Sequence, residues 1–376
     1  MPDETISCCG IVERIGFNDA IFKYKTQEQT IELEHQILSH KMALKLVSQY
    51  LLDKEYGVIN APEDIDAVGH RVVHGGSFFN DITLITKDVK EKIRSLASLA
   101  PLHNPANLEG IEVAEDIFTN AKQFAVFDTA FLQSIPEVAY KYAIPNEFLT
   151  EHQIRLYGFH GTSHKYVSEK AIEFLNKKNS KIITIHLGNG CSMTAIKDGK
   201  SVDHSMGFSP LDGLIMGTRS GDIDPSIIFY LKNKLKYHLK DINVLLNKKS
   251  GMLGLTGYSD LRDIEAMAAK GNEECSLALH MNAYRIKKYI GSYTAVLNGL
   301  DAIVFTGGIG ENSKLMRQLV CEDLDFLGIV LDTDKNQQAT KGIQSIQAEN
   351  SRAAILVVPT NEELEIAKQT MILVKN

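Results

Sequence analysis

Two apolar segments of the chain each run into a glycine-rich turn, and this pairing limits the folds that the sequence can adopt. The first segment, K-I-I-T-I at 181–185, continues into H-L-G-N-G-C-S at 186–192. The second, A-I-V-F at 302–305, continues into T-G-G-I-G-E-N at 306–312. Glycine lets backbone N–H groups approach an anion closely, because no Cβ intervenes. Two such turns at two strand ends indicate one bound nucleotide, although either turn alone is also typical of an ordinary tight turn.

The residues after each turn predict different structures. After the first turn, an apolar stretch, the pair Asp198–Gly199 and the segment 201–204 predict a β-hairpin. After the second turn, apolar residues at helical spacing predict a helix, with Ser313 near its N-cap. The first turn therefore joins two strands, and the second joins a strand to a helix.

Composition and missing motifs argue against several classes of protein. No G-x-x-x-x-G-K-[ST] Walker loop occurs, and Gly308 and Gly310 lack the third glycine of a Rossmann fingerprint, which disfavours a dehydrogenase. The net charge of −7 argues against nucleic acid as a partner. No apolar run approaches the length of a membrane span, no signal segment is evident, and the five cysteines show no C-x-x-C spacing. We expect a cytoplasmic protein with reduced thiols.

Strands alternate with helices along the chain, which predicts an α/β fold. At 376 residues, of which 44% are hydrophobic, the chain is long enough for two domains with their own cores. The segments 67–73 and 124–127 are predicted to be buried strands, each ending in polar residues that line a cleft. The domain boundary is predicted near 130–145.

Two glycine-flanked arginines are candidates for binding anions. Arg71 lies at a strand end within G-H-R-V-V-H-G-G at 69–76, and Arg219 lies within M-G-T-R-S-G-D-I-D-P at 216–225. An exposed arginine often has no specific role, and this interpretation stays open for each residue alone. Beside two phosphate turns, however, they are suited to hold carboxylate and phosphoryl groups by bidentate hydrogen bonds. Phosphoryl transfer depends on such groups, because its catalysis is mostly positioning and charge neutralisation.

Carboxylates and histidines complete the reactive set. Asp128 ends the strand 124–127, where an open α/β sheet has its binding crevice. Glu362 is either an acid that favours a helix dipole or an anchor for Mg²⁺ through water. His160 and His164 have an H-x-x-x-H spacing, but the glutamate of H-E-x-x-H is missing and Gly161 lies where the zinc-binding helix would run, so we reject zinc.

Seven segments of the chain resemble motifs of the acetate kinase family: R-V-V-H-G-G at 71–76, P-L-H-N-P at 101–105, F-D-T-A-F at 127–131, Y-G-F-H-G-T-S-H at 157–164, the strand and turn at 182–192, G-T-R-S-G-D-I-D-P at 217–225 and F-T-G-G-I-G-E-N at 305–312. The resemblance runs nearly end to end. It implies the duplicated two-domain α/β fold shared by acetate and sugar kinases, the heat-shock chaperone ATPase and actin, with mixed sheets flanked by helices. The implied domains are 1–130 with 363–376 on the acyl side, and 131–362 on the nucleotide side.

The resemblance also implies an activity and its requirements. The expected reaction is reversible phosphoryl transfer from ATP to acetate, giving acetyl phosphate and ADP, with Mg²⁺ or Mn²⁺ as cofactor. The expected protein is a cytoplasmic homodimer with no nucleic acid or membrane partner. A propionate or other short-chain carboxylate kinase is the alternative, because the two activities differ mainly in pocket volume.

Roles for individual residues follow from the same resemblance. His160 would stabilise the transition state, Arg219 with Arg71 would hold the acetate and the transferring phosphoryl group, and Asp128 would be the acid/base or orienting carboxylate. Glu362 would anchor magnesium. The methyl pocket would be formed by Val73, Leu102, Phe159 and Pro210. The nucleotide would be bound by His186, Leu187, Gly188, Asn189, Gly190, Asp260, Leu261, Arg262, Gly308, Ile309, Gly310, Glu311 and Asn312.

Two features depart from the family pattern. Position 132 is leucine where the family usually has histidine. The family also begins with an apolar strand and an N-x-G-S-S-S-x-K turn, whereas this sequence opens on residues that resemble those following that hairpin. We therefore expect Met1 to be an internal methionine of a longer chain. A catalytically impaired form that still binds nucleotide is the corresponding alternative.

Overall fold

The computed structural model describes residues 4–101 and 103–375, and the chain divides into two compact units. Unit 1 comprises Met1–Ala130 and Glu362–Asn376, and unit 2 comprises Phe131–Asn361. Leu102, which the resemblance assigns to the methyl pocket, lies outside the described residues. Unit 2 is therefore one continuous stretch of chain, whereas unit 1 is built from two stretches.

The described part of unit 1 contains two three-stranded sheets. The first is antiparallel, in the order β1-β2-β3, and the second has the order β4-β6-β5, with β4 parallel to β6 and β5 antiparallel to it. The α-helices and strands of unit 1 before residue 130 are β1 (Cys8–Glu13), β2 (Ala20–Thr26), β3 (Thr30–His35), α1 (His40–Leu51), β4 (Ala67–Val72), β5 (Thr83–Leu84), α2 (Lys87–Ser95), α3 (Asn104–Ile117) and β6 (Lys122–Phe127).

Each sheet of unit 1 buries apolar side chains against helices. Alternate residues of β2, among them Phe22 and Tyr24, pack with residues of α1. In the second sheet, Phe127 packs with residues of α2 and α3. The strand predicted at 67–73 is present as β4. The prediction that this strand is buried was wrong, because Val72 is the only buried residue among the six residues of β4. The physical reason is that β4 lies at the edge of its sheet.

Unit 2 contains a six-stranded mixed sheet and most of the helices. Its elements are α4 (Glu137–Tyr140), α5 (Glu147–Thr150), α6 (Gly161–Leu175), β7 (Lys181–Leu187), β8 (Cys191–Lys197), β9 (Lys200–His204), α7 (Ser226–Asn233), α8 (Leu239–Lys248), α9 (Gly251–Thr256), α10 (Leu261–Ala269), α11 (Glu273–Leu297), β10 (Ala302–Thr306), α12 (Gly307–Asn312), α13 (Lys314–Cys321), α14 (Thr333–Gln338), β11 (Gln344–Ser345) and β12 (Ala354–Val357).

The sheet of unit 2 places the two glycine-rich segments side by side. The prediction of a turn at 306–312 was wrong, because Gly307–Asn312 form the short helix α12 directly after β10; we call residues 306–312 the second glycine turn. Its strand order is β11-β12-β10-β7-β8-β9, and β10 runs parallel to β7 with Thr306 opposite His186. The carboxyl ends of both strands therefore meet at one edge of the sheet. The predicted hairpin is confirmed as β8 and β9, joined by Asp198 and Gly199 with φ of 53° and 77°. The predicted helix is confirmed as α13, whose N-cap Ser313 accepts a hydrogen bond from the backbone N–H of Met316.

The last helix, α15 (Glu362–Val374), belongs to unit 1 and packs on β4. A Cβ at Gly69 would lie 2.6 Å from Cγ2 of Ile366 and from Oγ1 of Thr370, so the close approach of this helix requires glycine at that position. None of the helices within residues 4–101 and 103–375 has the length and apolar character needed to cross a membrane.

Candidate active site

An arginine and two carboxylates form a cluster in unit 1. Because β4 and β6 are parallel, Arg71 near the end of β4 and Asp128 just after β6 come to the same edge of the sheet. Nη2 of Arg71 donates to Oδ2 of Asp128 at 2.5 Å, and Nε lies 3.0 Å from both carboxylate oxygens. Glu362, at the start of α15, places Oε2 3.8 Å from Nε of Arg71. One cation thus lies beside two acids.

The electrostatics of this cluster follow from burial and charge. Asp128 is 1% exposed and its charge raises the pKa of the Arg71 guanidinium. Burial raises the pKa of Glu362, and the nearby Arg71 opposes that shift. Among the described residues, no group of three or more His, Cys, Asp or Glu side chains is placed to hold a metal ion. Glu362 nevertheless fits a Mg²⁺ that keeps much of its water and binds phosphate oxygens, because Mg²⁺ is often held by one or two carboxylates only.

The turn that follows Arg71 is held by amide side chains that sequence reasoning missed. Oδ1 of Asn107 accepts from the backbone N–H of Val73 at 3.1 Å. Asn104 accepts from the N–H of His74 at 3.1 Å and donates to its carbonyl at 3.0 Å. Asn104 belongs to the P-L-H-N-P motif, so a signal was present, but its partner was not evident. These bonds fix the backbone of Val73 beside Arg71.

In unit 2, His160 immediately precedes α6 and has a left-handed backbone with φ of 59°. Such a conformation is uncommon for residues other than glycine, and its occurrence is a reason to suspect function. The ring Nδ1 lies 2.9 Å from Oγ of Ser192. The ring also stacks on that of His186, with centroids 4.6 Å apart and planes inclined by 26°. His160 is thus held on two sides at the end of β7.

Arg219 converges with His160 on the first glycine turn. A Cβ at Gly190 would lie 3.4 Å from Nε2 of His160 and 3.6 Å from Nη1 of Arg219. The same Nη1 lies 3.4 Å from the carbonyl oxygen of Pro210, which steadies the guanidinium. Burial lowers the pKa of Arg219, but an arginine remains charged at neutral pH. An imidazole nitrogen and a guanidinium group therefore flank one point beside a backbone that lacks side-chain bulk.

A cavity of about 880 Å³ opens beside the two glycine turns, within unit 2. This volume lies within the range of small-molecule sites. Asp260 caps α10 and pairs with the exposed Arg262 at 2.5 Å on its rim. Of the predicted nucleotide residues, the cavity is lined by Gly188, Asn189, Asp260, Leu261, Arg262, Gly308, Ile309 and Asn312. Among its other lining residues, Gly217, Ser259 and Asn282 were not predicted.

The remaining predicted nucleotide residues, His186, Leu187, Gly190, Gly310 and Glu311, are not among the residues lining the cavity. Glu311 accepts hydrogen bonds from the backbone N–H groups of Gly307 at 3.0 Å and Thr360 at 3.1 Å. The fully buried Arg317 donates to the carbonyl oxygens of Gly310 and Glu311 at 2.9 and 2.8 Å. Arg317 was not predicted as part of the site. The observed role of these contacts is to shape the second glycine turn.

The described residues of the predicted methyl pocket are apolar and lie beside the polar groups of their own unit. Val73 follows β4 in unit 1 and is buried. Phe159 is buried in unit 2 next to His160, and Pro210 contacts Arg219. Leu132, at the position where the family usually has histidine, is fully buried in an apolar cluster with Ile135 and Leu156.

Comparison with known proteins gives one family over almost the whole chain. The sequence profile of the acetokinase family matches residues 2–368. An acetate kinase of Flavobacterium johnsoniae is 61% identical over 376 residues, covering 100% of this chain and 95% of that protein. The crystal structure of Porphyromonas gingivalis acetate kinase has a TM-score of 0.93 and 44% identity, covering 100% of this chain and 95% of that one. A propionate kinase from Francisella tularensis has a TM-score of 0.91 and 44% identity, covering 97% and 93%. The predicted α/β kinase fold is confirmed.

Proposed function

We propose, because this chain belongs to the acetokinase family, that it transfers the γ-phosphoryl group of ATP to acetate, reversibly, giving acetyl phosphate and ADP. The observation that carries the proposal is the position of His160 and Arg219, whose Nε2 and Nη1 flank Gly190 beside the cavity of unit 2. Negative charge is spread over the oxygens of a phosphoryl group in transfer. Two fixed donors at one point are suited to stabilise that charge.

In this proposal, unit 2 binds the nucleotide. The adenosine end occupies the 880 Å³ cavity near Asp260 and Arg262, and the phosphates lie along the turns at Gly188 and Gly308. Side chains at these glycines would obstruct the approach of phosphate to the backbone. Arg219 and His160 then donate hydrogen bonds to the transferring group.

Unit 1 supplies the carboxylate-binding group in the same proposal. Arg71 pairs with the acetate carboxylate, and Asp128 orients the guanidinium through bonds of 2.5 to 3.0 Å. Glu362 would hold Mg²⁺, or Mn²⁺ in its place, through water, and the bound ion would neutralise phosphate charge. Burial raises the pKa of Glu362 although Arg71 opposes that shift, and the charge of a bound Mg²⁺ would further favour the ionised carboxylate.

The direct test compares ATP-dependent acetyl phosphate formation by the wild type, Arg219→Ala and Arg94→Ala. Arg94 is an exposed residue of α2 that pairs with Glu112, so it controls for the loss of an arginine as such. Removing one preorganised donor typically lowers kcat about 10²-fold to 10³-fold, which is the expected effect at Arg219. Near-normal turnover by Arg219→Ala would refute the assignment. Nucleotide binding without turnover by the wild type would favour the impaired form instead.

Propionate is the second candidate substrate, since a solved propionate kinase matches with a TM-score of 0.91. One methylene in an apolar pocket changes transition-state binding by about 1–3 kcal/mol, or roughly 10-fold to 200-fold. We expect acetate to be preferred over propionate by a factor in that range. Measurement of kcat/KM for both acids with the same enzyme preparation decides between them, and a preference for propionate would reverse the assignment.

The chain also forms a homodimer in this proposal, through the exposed face of α7. No residue of α7 is buried, although the helix contains Ile227, Phe229 and Tyr230, and Phe229 is 64% exposed. Several large apolar side chains exposed on one short helix are a candidate protein interface. Phe229→Asp is expected to convert a dimer into a monomer in sedimentation velocity, whereas Phe174→Asp, at an exposed phenylalanine on α6, leaves the dimer intact. A monomeric wild type would contradict the proposal.

A cytoplasmic location completes the proposal. All five cysteines are free thiols, which suits a reducing compartment. Cell fractionation tests this point, and recovery of the protein outside the cytoplasm would refute it.

A further inference from the structure

Four side chains form a continuous line of hydrogen bonds from the centre of the unit 2 sheet to His160. Oγ1 of Thr184, on β7, lies 2.7 Å from Nδ1 of His164. Nε2 of His164 lies 2.7 Å from Oγ of Ser192, on β8. The same Oγ lies 2.9 Å from Nδ1 of His160. We call these residues the hydroxyl–imidazole chain. Its members alternate between a hydroxyl group and an imidazole ring, so its hydrogen bonds run in one direction or in the other.

His164 is neutral, so the hydrogen bonds of the hydroxyl–imidazole chain have only two possible directions. The ring is fully buried, and three other histidines, His160, His186 and His204, lie near it. Burial lowers the pKa of His164 well below its usual value, and the neighbouring histidines lower it further. A neutral imidazole has one N–H donor and one acceptor nitrogen. His164 therefore donates to one of its two hydroxyl partners and accepts from the other.

Thr184 selects the direction. Its side chain is fully buried, and its one hydrogen bond within the described residues is to Nδ1 of His164. If Nδ1 carried the proton, the hydroxyl hydrogen of Thr184 would be buried without an acceptor, which is unfavourable. Thr184 therefore donates to His164, His164 donates from Nε2 to Ser192, and Ser192 donates to Nδ1 of His160. The proton of the His160 ring then lies on Nε2.

The neighbouring pair of Thr194 and His204 has the opposite arrangement. The backbone N–H of Phe159 donates to Nε2 of His204 at 3.2 Å, so His204 carries its proton on Nδ1. That proton is directed at Oγ1 of Thr194, at 2.8 Å. A backbone N–H can only donate, and it imposes this arrangement even though the hydroxyl of Thr194 then acts only as an acceptor. Within the part of the protein that the structure describes, both ring nitrogens of His164 are bonded to hydroxyl groups, so the direction of its hydrogen bonds is set by the hydroxyls.

We propose that Thr184, His164 and Ser192 are positioning residues that fix the tautomer of His160, so that its Nε2 presents a hydrogen-bond donor to the point flanked by Arg219 beside Gly190. The proposal rests on the proposed function, because that donor is useful only if a phosphoryl oxygen occupies the point. The catalytic contact belongs to His160, and the three positioning residues act through it. With the opposite tautomer, Nε2 would present a lone pair to an anion, which is repulsive.

The test is NMR of the full-length protein with ¹⁵N-labelled histidine, because the shifts of the two ring nitrogens report the tautomer without requiring activity. The signal of His160 is identified by its absence in His160→Gln. We expect the Nε2–H tautomer in the wild type and in Thr184→Ser, which keeps the hydroxyl donor. Thr184→Val removes the donor, so both tautomers of His160 are expected, and kcat should fall by the same factor as the Nε2–H population. KM for ATP and for acetate should stay unchanged.

Thr194→Val is the matched control. Thr194 pairs directly with Thr184 across β7 and β8, is equally buried and bonds a histidine, so the substitution is the same at a neighbouring position. It should leave the tautomer of His160 unchanged. If Thr184→Val does not fold, Ser192→Ala removes the last donor of the hydroxyl–imidazole chain and should give the same mixed tautomers.

Two results would overturn the proposal: an Nδ1–H tautomer of His160 in the wild type, or an unchanged Nε2–H tautomer in the folded donor-removing variant. If the wild type forms no acetyl phosphate from ATP and acetate, the proposed function is refuted instead. The tautomer measurement still decides the direction of the hydroxyl–imidazole chain in that case.

Discussion

Replacement of Gly190 by alanine inserts one methyl group where His160 and Arg219 converge. The added Cβ would lie 3.3 Å from Cε1 and 3.4 Å from Nε2 of His160, and 3.6 Å from Nη1 of Arg219. The backbone of Gly190 does not have a positive φ, so alanine introduces no left-handed strain. Alanine also restricts the unfolded chain, which stabilises a protein by about 0.4–1 kcal/mol at a compatible position. We therefore expect the stability of Gly190→Ala to stay within about 1 kcal/mol of the wild type.

The effect on catalysis is expected to be larger than the effect on stability. Contacts of 3.3 to 3.4 Å are tighter than ordinary contacts of a methyl carbon, so the ring of His160 must move by a few tenths of an ångström. A misplacement of about 1 Å can lower a rate by about 10²-fold. The smaller shift here leads us to expect a fall in kcat of about tenfold, which corresponds to about 1.4 kcal/mol in the barrier.

Steady-state kinetics and thermal unfolding of the same preparations test this expectation. Gly291→Ala on α11 is the matched control, because no heavy atom lies within 4 Å of its added Cβ. A glycine inside a helix is less stable than alanine by roughly 0.5–1 kcal/mol, so the control should gain stability and keep full activity. A kcat for Gly190→Ala within twofold of the wild type would show that the point beside Gly190 is not used in the reaction.

Three further predictions concern other parts of unit 2. Burial raises the pKa of Asp203 from 3.8 to about 6, so the folded protein binds this proton more tightly than the unfolded chain and loses stability as the pH rises from about 4 to 6. Urea unfolding should therefore show Asp203→Asn to be more stable than the wild type by about 1–2 kcal/mol at pH 8 and equally stable below pH 4. Equal differences between the two proteins at both pH values would contradict this prediction. Arg317→Met removes the hydrogen-bond donor to the carbonyl oxygens of Gly310 and Glu311. Denaturant titration should therefore show a free energy of unfolding lower by about 2–4 kcal/mol. An unchanged denaturation midpoint would refute the structural role of Arg317. A Cβ at Gly217 would lie 2.2 Å from Oδ1 of Asn189, so Gly217→Ala should displace the flexible side chain of Asn189. We expect ADP binding, measured by calorimetry, to weaken by roughly tenfold. An unchanged ADP affinity would argue against a role of Asn189 in the nucleotide site.

The parts of the structure that were predictable from sequence depend on local interactions. The hairpin at Asp198 and Gly199 requires only two residues that tolerate positive φ, and the N-cap at Ser313 requires only a hydroxyl three residues before its partner. The position of each glycine-rich segment directly after an apolar strand was also predictable. Local pattern was sufficient in each of these cases.

The parts that were not predictable depend on contacts between distant residues. Ser192 bonds both His160 and His164, which lie 32 and 28 residues away, and the H-x-x-x-H spacing suggested only the question of zinc. Arg317 resembles an ordinary surface residue of an amphipathic helix until α14 and the second glycine turn cover it. The edge position of β4 depends on which strands pair, and the local sequence of β4 does not encode that choice.

The division of the chain has a consequence for the order in which the protein folds. All residues of unit 2 lie in one stretch, so this unit has the sequence it needs before α15 is synthesised. Domains generally fold as units during synthesis, from the N-terminal side first. Unit 1, in contrast, must wait for Glu362, which joins Arg71 only after more than two hundred intervening residues have been made. A nascent chain is therefore able to assemble its two glycine turns while the cluster of Arg71 and Asp128 still lacks its second acid.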